Sequence, residues 1–333
     1  MTLLLALLAC RVEVGAPGTT PAAGSSAPGA PQEVWIYTSM YAEVIDAMTP
    51  ALAKALPDVR VQWFQAGSEK VAQRWEAEEE AGGSRACLIA TSDPAWYVEL
   101  SQRDKLRAYV SPRALELPRA WVAPSWATFR LSLMVLAAAG ESPATMQDLT
   151  DPRWKGRFST PDPLSSGTMF TTLAALRHAH GDAWLRRAHA NGWVAAGGNS
   201  AVVARMQSGE APVGLVLLEN LLAQEGYADP ATPRVARPNL EAQAVAVPGP
   251  VAITARCPAP EAAERVVDWL LSPEAQGFIV AGRMHSPFPG APAPAGAPAL
   301  ADVPLLPLPE DFVTRTAHDA PALRAAWTGL QGG

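Results

Sequence analysis

Two loops that lead directly into helices carry the residues of this sequence best suited to bind an anion. The strand-like FSTPDP precedes small and hydroxyl residues at 165–168 and the helical MFTTLAALRHA, and Gly-Gly-Asn-Ser at 197–200 precedes a second helix, AVVARMQSG. The first N–H groups of a helix have no partner within it and lie at the positive end of its dipole, so they attract anions. Neither loop has the lysine of a Walker A loop or the spacing of a dinucleotide fingerprint. The pattern therefore predicts capture of a small oxyanion.

Hydroxyl groups also follow three predicted strands in the first third of the chain. Strands and helices alternate there, which predicts a parallel sheet with ligands beyond the carboxyl ends of its strands. The residues at these strand ends and helix starts that we expect to bind the ligand are Ser39, Ser68, Thr91, Ser92, Ser165, Ser166, Gly167, Thr168, Asn199 and Ser200. Each alone is better explained as an ordinary helix cap. Their coincidence at one predicted cleft edge favours a binding site.

Three charged residues complete the candidate site. Asp93 and Glu219 place negative charge nearby and suit a cationic amine, whereas Arg130 either pairs with the oxyanion or forms a structural ion pair. The expected ligand head is a phosphonate, a phosphate ester or a carboxylate, because neutral donors hold such groups well. A zwitterion such as an aminoalkylphosphonate is the sharpest form of this prediction.

Catalytic and metal-binding patterns are missing from the sequence. It has no G-x-S-x-G elbow and no H-E-x-x-H, and His178 and His180 lie two apart, facing different sides of a helix. The acidic run EAEEE at 76–80 is better explained as a solvated helix face than as a calcium site. We therefore expect a binding protein with no cofactor, no metal and no catalytic residues. A hydrolase that assembles its residues from distant parts of the same cleft is the alternative.

The first 32 residues suggest an exported, lipid-anchored protein. The run MTLLLALLAC at 1–10 resembles a bacterial lipobox and is too short to span a bilayer, so we expect Cys10 to be acylated. No Lys or Arg precedes the run, and a frayed apolar terminus is the alternative. Residues 11–32 are rich in Gly, Ala, Pro and Ser and predict a flexible tether. The net charge of −6, with no basic run, excludes a nucleic-acid footprint.

The remaining 300 or so residues are too many for one ordinary core and predict two lobes. Extended apolar segments near 121–138 and 244–255 are the expected crossings. Lobe 1 is predicted at 33–128 and 250–290, lobe 2 at 129–249, and a Pro-rich strap with a C-terminal segment at 291–333. Cys87 and Cys257 lie far apart, and they are either two buried thiols or a disulfide that export permits.

Several phrases together resemble bacterial solute-binding proteins of ABC importers, in the branch that includes ferric-iron and aminoethylphosphonate receptors. They are VWIYTSMYAEVIDAMTPALAKALPDVRVQWFQAGSEKVAQRW, TSDPAWYVEL, DLTDPRWKGRFSTPDPLSSGTMFTTLAAL, GGNSAVVARMQSGEAPVGLV and VPGPVAITARCPAPEAAERVVDWLLSPEAQ. The resemblance implies an α/β clamp of the type 2 periplasmic-binding-protein fold, with two lobes of mainly parallel sheet flanked by helices and joined by two crossing segments. It also implies a monomer, at the cell surface or in the periplasm, that delivers a small-molecule solute to an ABC permease and its ATPase.

Two departures from this family pattern bear on the ligand. Ferric members carry adjacent tyrosines after the strand equivalent to PVGLVL, where this chain reads Leu218-Glu219-Asn220-Leu221. Ferric iron prefers anionic oxygen ligands, so the ferric alternative is weakened. The third strand also reads Arg-Ala-Cys-Leu at 85–88, where many relatives have an acidic residue. A sensor receptor of the same fold is a further alternative, which the absence of neighbouring permease and ATPase genes would favour.

Overall fold

The structure is a computed structural model that describes residues 31–331. The predicted signal-like segment, the lipidation site Cys10 and most of the predicted tether lie outside the described residues. The ten strands of the described chain are β1 (Gln32–Thr38), β2 (Val59–Gln65), β3 (Ala86–Ala90), β4 (Val122–Ala123), β5 (Trp126–Ala138), β6 (Phe158–Thr160), β7 (Val194–Ala195), β8 (Val213–Leu217), β9 (Arg237–Asn239) and β10 (Val245–Ile253). Its α-helices are α1 (Ala42–Ala55), α2 (Ser68–Glu80), α3 (Pro94–Gln102), α4 (Gly167–Ala190), α5 (Asn199–Ser208), α6 (Leu218–Leu222), α7 (Pro260–Leu270), α8 (Pro273–Ala281) and α9 (Phe312–Gln331).

Lobe 1 is built on the parallel strands β2, β1 and β3, with β10 antiparallel to β3. Successive side chains of a strand point to opposite faces. Ile36 and Leu88 accordingly enter one core with α1, α7 and α8, whereas Tyr37 and Ile89 enter another with α2 and α3. Helices therefore cover both faces of the sheet, as the alternating pattern predicts.

Lobe 2 repeats this arrangement around β8, β6 and β7, which are parallel to one another. Leu215 of β8 packs into the core that contains α4, and its neighbour Val216 packs into the core that contains α5 and α6. Helix α4 is kinked at Gly181, whose φ of 78° is left-handed. The N-terminal end of α4 points towards lobe 1.

Strands β5 and β10 are the two crossing segments. They pair antiparallel from Val245 opposite Met134 to Val251 opposite Ala127, and every residue of β5 is buried. Because both strands run through both lobes, hydrogen bonds connect all the strands of residues 31–331 into one curled sheet. The predicted α/β clamp with two lobes and two crossings is confirmed, and the exact residue bounds of the lobes stay a prediction.

Two features lie outside this alternating plan. The Sγ atoms of Cys87 on β3 and Cys257 after β10 form a disulfide, so the disulfide alternative for these cysteines holds. The two cysteines are 170 residues apart in sequence. A native disulfide typically stabilises a fold by about 2–4 kcal/mol. After the Pro-rich strap, α9 packs against α3 of lobe 1 and α4 of lobe 2. Within residues 31–331, no helix is both long enough and apolar enough to cross a membrane.

Candidate functional site

A cavity of about 250 Å³ lies between the lobes at the carboxyl ends of their strands. It collects most of the residues that the sequence predicts for the site, namely Ser39, Ser68, Ser92, Arg130, Ser165, Ser166, Gly167, Thr168 and Asn199. The remaining lining residues, which the sequence analysis missed, are Tyr41, Gln65, Ala66, Gly67, Gly198 and Leu217. Among residues 31–331, the lining contains no carboxylate, no histidine and no lysine, and Arg130 is its one charged side chain.

Four helices begin at this cavity, and they explain its chemistry. Tyr41 is the N-cap of α1, Gly67 of α2, Ser166 of α4 and Gly198 of α5. Of these, only Ser166 caps its helix with a side chain, accepting a hydrogen bond from the Met169 N–H. First-turn N–H groups lack partners inside a helix, so α1, α2 and α5 present donors and positive dipole ends to the cavity. Gly198 belongs to the Gly-Gly-Asn-Ser loop that the sequence points to, whereas Gly67, which also precedes a helix directly, is a comparable signal in the sequence.

The start of α4 forms the floor on the lobe 2 side. Ser166 Oγ lies 3.0 Å from Thr168 Oγ1, and Ser165 Oγ donates to the Asp162 carbonyl at 3.3 Å. Gly167 lies so close to lobe 1 that a Cβ there would be 2.8 Å from Asp93 Cβ and 3.1 Å from Ser68 Cβ. Only glycine therefore lets the two lobes approach this closely.

Arg130 supplies the positive charge of the cavity from within the crossing strand β5. Its side chain is 2 % exposed, Nη2 donates to Ser39 Oγ at 3.1 Å, and Nε has no hydrogen-bond partner. No carboxylate of residues 31–331 lies within 4.0 Å of the guanidinium, so the structural ion pair considered above is not formed in the described chain. Burial lowers the pKa of Arg130, and nearby Tyr41 and Glu219 oppose that shift. An arginine remains charged under such conditions.

Glu219 lies behind the cavity wall and not in its lining. Its carboxylate is 4 % exposed and accepts a hydrogen bond from Ser132 Oγ at 2.6 Å. Burial raises the pKa of Glu219 to about 7, against the opposing effects of that hydrogen bond and of Arg130. Burial and the Glu219 charge also raise the pKa of Tyr41, whose hydroxyl donates to Asn220 Oδ1 at 3.1 Å.

Three other predicted site residues also lie outside the cavity. Thr91 is fully buried, and its N–H donates to Tyr97 Oη at 2.7 Å. Asp93 Oδ2 is 3.9 Å from Arg324 Nη2 of α9, and burial raises the pKa of Asp93 to about 7. Ser200 lines a different concavity of about 800 Å³. That concavity is larger, but its lining comes from lobe 2 alone, so it cannot close around a solute.

The acidic run at 76–80 is bound into lobe 1 more tightly than a solvated face would be. Glu76 pairs with Arg103, Glu79 with Lys105, and Glu78 accepts hydrogen bonds from Tyr37, Arg74 and Ser84. These contacts join α2 to neighbouring parts of the lobe. No group of three or more His, Cys, Asp or Glu within 31–331 could hold a metal ion.

Comparison with known proteins agrees with this architecture. The family described as "Bacterial extracellular solute-binding protein" matches residues 33–281. No curated protein matches the chain. Iron-bound HitA from Pseudomonas aeruginosa is 18% identical with a TM-score of 0.75, over 89% of this chain and 99% of its own. AfuA from Actinobacillus pleuropneumoniae, with fructose-6-phosphate bound, is 19% identical with a TM-score of 0.73, over 90% and 98%. A Bordetella ferric binding protein is 21% identical with a TM-score of 0.67, over 90% and 99%.

Proposed function

The chain belongs to the family of bacterial extracellular solute-binding proteins, and we propose that it captures a small organic oxyanion between its lobes. Proteins of this type serve ABC importers and hand their solute to a permease. The expected head group of the solute is a phosphonate, a phosphate ester or a carboxylate.

The observation that carries this proposal is the buried, unpaired guanidinium of Arg130 among four helix N-termini. Burying a charge without a direct ion-pair partner is costly, and no carboxylate of the described chain contacts the guanidinium, on which buried Glu219 acts only from farther away. An oxyanion in the cavity would compensate Arg130 directly and accept hydrogen bonds from the first turns of α1, α2, α4 and α5. The same site would repel a cation.

The size of the cavity limits the solute. A water molecule occupies about 30 Å³ of liquid, so 250 Å³ has room for a phosphoryl or carboxylate head and a short carbon chain. An aminoalkylphosphonate fits this volume. Its amine would meet the neutral oxygens of Tyr41, Gln65 and Asn199, because Asp93 and Glu219 are not among the residues that line the cavity. The geometry therefore supports the anionic head more strongly than the amine.

Capture proceeds in this proposal by closure of the two lobes about β5 and β10. The first turn of α4 then meets Ser68, Ser92 and Asp93 of lobe 1 around Gly167. Closure removes the solute from water and strengthens its hydrogen bonds to the helix N-termini. The solute is bound without chemical change, since the cavity lining holds no general base beside a nucleophile.

Location follows from the family and from the N-terminal sequence. The family is extracytoplasmic, and we propose that acylated Cys10 holds a monomeric receptor to the membrane through the tether at 11–32. Replacing Cys10 with Ser is expected to move the protein from the membrane fraction to the soluble fraction. Unchanged sedimentation with membranes would contradict the anchor and leave the binding proposal intact.

A thermal-shift panel tests the ligand class. Ligand at one hundred times its Kd stabilises the folded state by about 2.7 kcal/mol, which raises the Tm of a chain this size by several degrees. Aminoethylphosphonate, glycerol phosphate, inorganic phosphate, small dicarboxylates and ferric citrate are compared, and hits are measured by calorimetry. Stabilisation by phosphonates or phosphate esters supports the proposal, and release of altered solute would favour the hydrolase alternative.

The ferric alternative is supported by the names of similar structures, since two of the three described above are iron-binding proteins. From the described part of the chain, the cavity offers one phenol, Tyr41, and no carboxylate, and it contains the Arg130 cation. Ferric iron prefers several anionic oxygen ligands. Tight binding of ferric iron in the panel, with no response to organic oxyanions, would nevertheless decide for iron.

A further inference from the structure

The C-terminal helix α9 contacts both lobes and lies beyond the residues that match the family. Leu323 and Trp327 are buried in the core of lobe 2. Val313, near the start of the helix, also packs against the lobe 1 core that contains Trp96. A helix placed in this way influences whether the lobes stay together.

Arg324 is the charged contact of α9 with both lobes. Its Nη1 lies 3.7 Å from Glu69 Oε1, and its Nη2 lies 3.9 Å from Asp93 Oδ2, both on lobe 1. The guanidinium carbon is 4.3 Å from the centre of the Phe170 ring, on α4 of lobe 2. A single cation therefore joins two acids of one lobe to an aromatic ring of the other.

Asp93 is the most buried acid of this group, and its charge state depends on the groups around it. It is 5 % exposed, and Oδ1 has no hydrogen-bond partner. The charged groups that face it are Glu69 on α2, Glu99 on α3 and Arg324 on α9, while α4 presents the uncharged backbone of Gly167. Negative charge is thus in excess. Burial and the Glu69 charge raise the pKa of Asp93 to about 7, and burial also raises the pKa of Glu69.

We propose that α9 is an interlobe clasp, in which Arg324 holds Asp93 and Glu69 of lobe 1 against lobe 2 and stabilises the closed clamp. When the lobes separate, Gly167 leaves Asp93 and water can solvate both acids. Closing therefore buries carboxylates, which is unfavourable unless a cation compensates them or a proton neutralises them. The clasp rests on the hinge motion of the proposed function but not on the identity of the solute.

The test measures X-ray scattering of the full chain without ligand, at about pH 8 and about pH 5, either side of the raised pKa of Asp93. R324Q is expected to have a larger radius of gyration than wild type at the higher pH and the wild-type value at the lower pH. R315Q is the matched control, because Arg315 is an exposed arginine of the same helix that pairs with Asp311. It should equal wild type at both pH values.

A compensating variant keeps the proposal testable if R324Q folds poorly. D93N/R324Q removes the more buried of the two carboxylates together with their shared partner, and at about pH 8 its radius is expected to return from the R324Q value towards the wild-type value. Expansion of R324Q at both pH values would overturn the ionic clasp in favour of packing on Phe170, and equal radii for R324Q and R315Q would overturn the clasp altogether.

Calorimetry with inorganic phosphate as the probe separates the clasp from the proposed function. R324Q should bind phosphate about tenfold more weakly at the higher pH, since a coupling of this size is typical between two sites. If wild-type protein binds no oxyanion in the panel described above, the proposed function fails. The scattering comparison would still decide the clasp.

Discussion

Arg130 on β5 and Gly249 on β10 lie opposite each other, and the Arg130 side chain occupies the space where a side chain of residue 249 would lie. A Cβ at position 249 would be 2.7 Å from Arg130 Cγ, 3.1 Å from Nε and 3.3 Å from Cζ. The absence of a side chain at 249 therefore allows the guanidinium to lie along β10 and reach the cavity. Gly249 acts on the ligand through Arg130 and is a positioning residue.

Replacing Gly249 with Ala should displace the guanidinium and weaken oxyanion binding by at least tenfold. Such a loss corresponds to about 1.4 kcal/mol, less than a charge-assisted hydrogen bond often contributes. Calorimetry with the best ligand from the panel measures it. G277A is the control, because nothing lies within 4 Å of a Cβ there and helix α8 should gain about 1 kcal/mol. Equal affinities for the two variants would rule out this role for Gly249.

Removing both hydroxyls at the start of α4 is the most direct test of the proposed anion site. S166A/T168A should bind the oxyanion at least tenfold more weakly, because two charge-assisted hydrogen bonds contribute roughly 1.5–3 kcal/mol each. The variant should also lose about 1 kcal/mol of stability, because Ser166 caps the helix.

The capping effect can be separated from the binding effect with S272A. Ser272 caps α8 in the same way, accepting from the Ala275 N–H at 3.3 Å, and it is not part of the cavity lining. S272A should therefore lose stability and keep full affinity. If S166A/T168A lost stability but kept full affinity, as S272A should, the hydroxyls at the start of α4 would act only as helix caps.

Helix starts can be predicted from this sequence more reliably than the directions of individual side chains. The apolar spacing of Val44, Ile45, Met48, Leu52 and Leu56 predicts the buried face of α1. The first four are buried, whereas Leu56 is the C-cap and is partly exposed. At the end of β3, however, neighbouring residues point to opposite faces. Ser92 therefore reaches the cavity, while the Thr91 hydroxyl donates to Tyr97 Oη at 3.3 Å inside the core.

Long-range pairing could not be predicted at all. The contact of Arg130 with Gly249 depends on the register of two strands far apart in sequence, and no local pattern encodes it. The pattern ALRAAWTGL at 322–330 predicts only a short C-terminal helix, and proline usually interrupts a helix. The structure continues the helix through Pro321, where tertiary packing of Leu323 and Trp327 outweighs the lost hydrogen bond.

The contribution of Asp93 and Glu219 to stability should fall as the pH rises from about 4 to about 7, against an opposite contribution from His180 and His285, whose pKa values burial lowers. Asp93 and Glu219 each have a pKa near 7 in the folded protein because they are buried, against about 4 in the unfolded chain. In that window the folded state binds more protons than the unfolded state, so raising the pH favours unfolding. The expected loss is on the order of 3 kcal/mol for each group. Urea unfolding across pH measures it.

The variants D93N and E219Q assign this pH dependence to its sources. Each substitution should remove the part of the stability loss between about pH 4 and pH 7 that its own carboxyl group causes. K54Q serves as the control, since Lys54 lies on α1, away from both acids and from the cavity lining. A profile that stayed as steep in D93N/E219Q as in wild type would show that other groups cause it.

The close approach of Gly167 to lobe 1 leads to the last prediction, which concerns closure itself. An added methyl at 167 would meet Asp93 Cβ at 2.8 Å and the Ser92 carbonyl at 3.2 Å, and neither atom belongs to the flexible end of a long side chain. G167A should therefore hold the lobes apart, enlarge the radius of gyration with saturating ligand and weaken binding at least tenfold. G67A adds the same methyl to the opposite wall of the cavity, where nothing lies within 4 Å, so it should still close. Because the clash exists only when the lobes are together, the unfolding free energy of each lobe should change little in G167A. If G167A compacts around ligand as wild type does, then the lobes do not need this contact, and the conformation described here is tighter than the one that binds the solute.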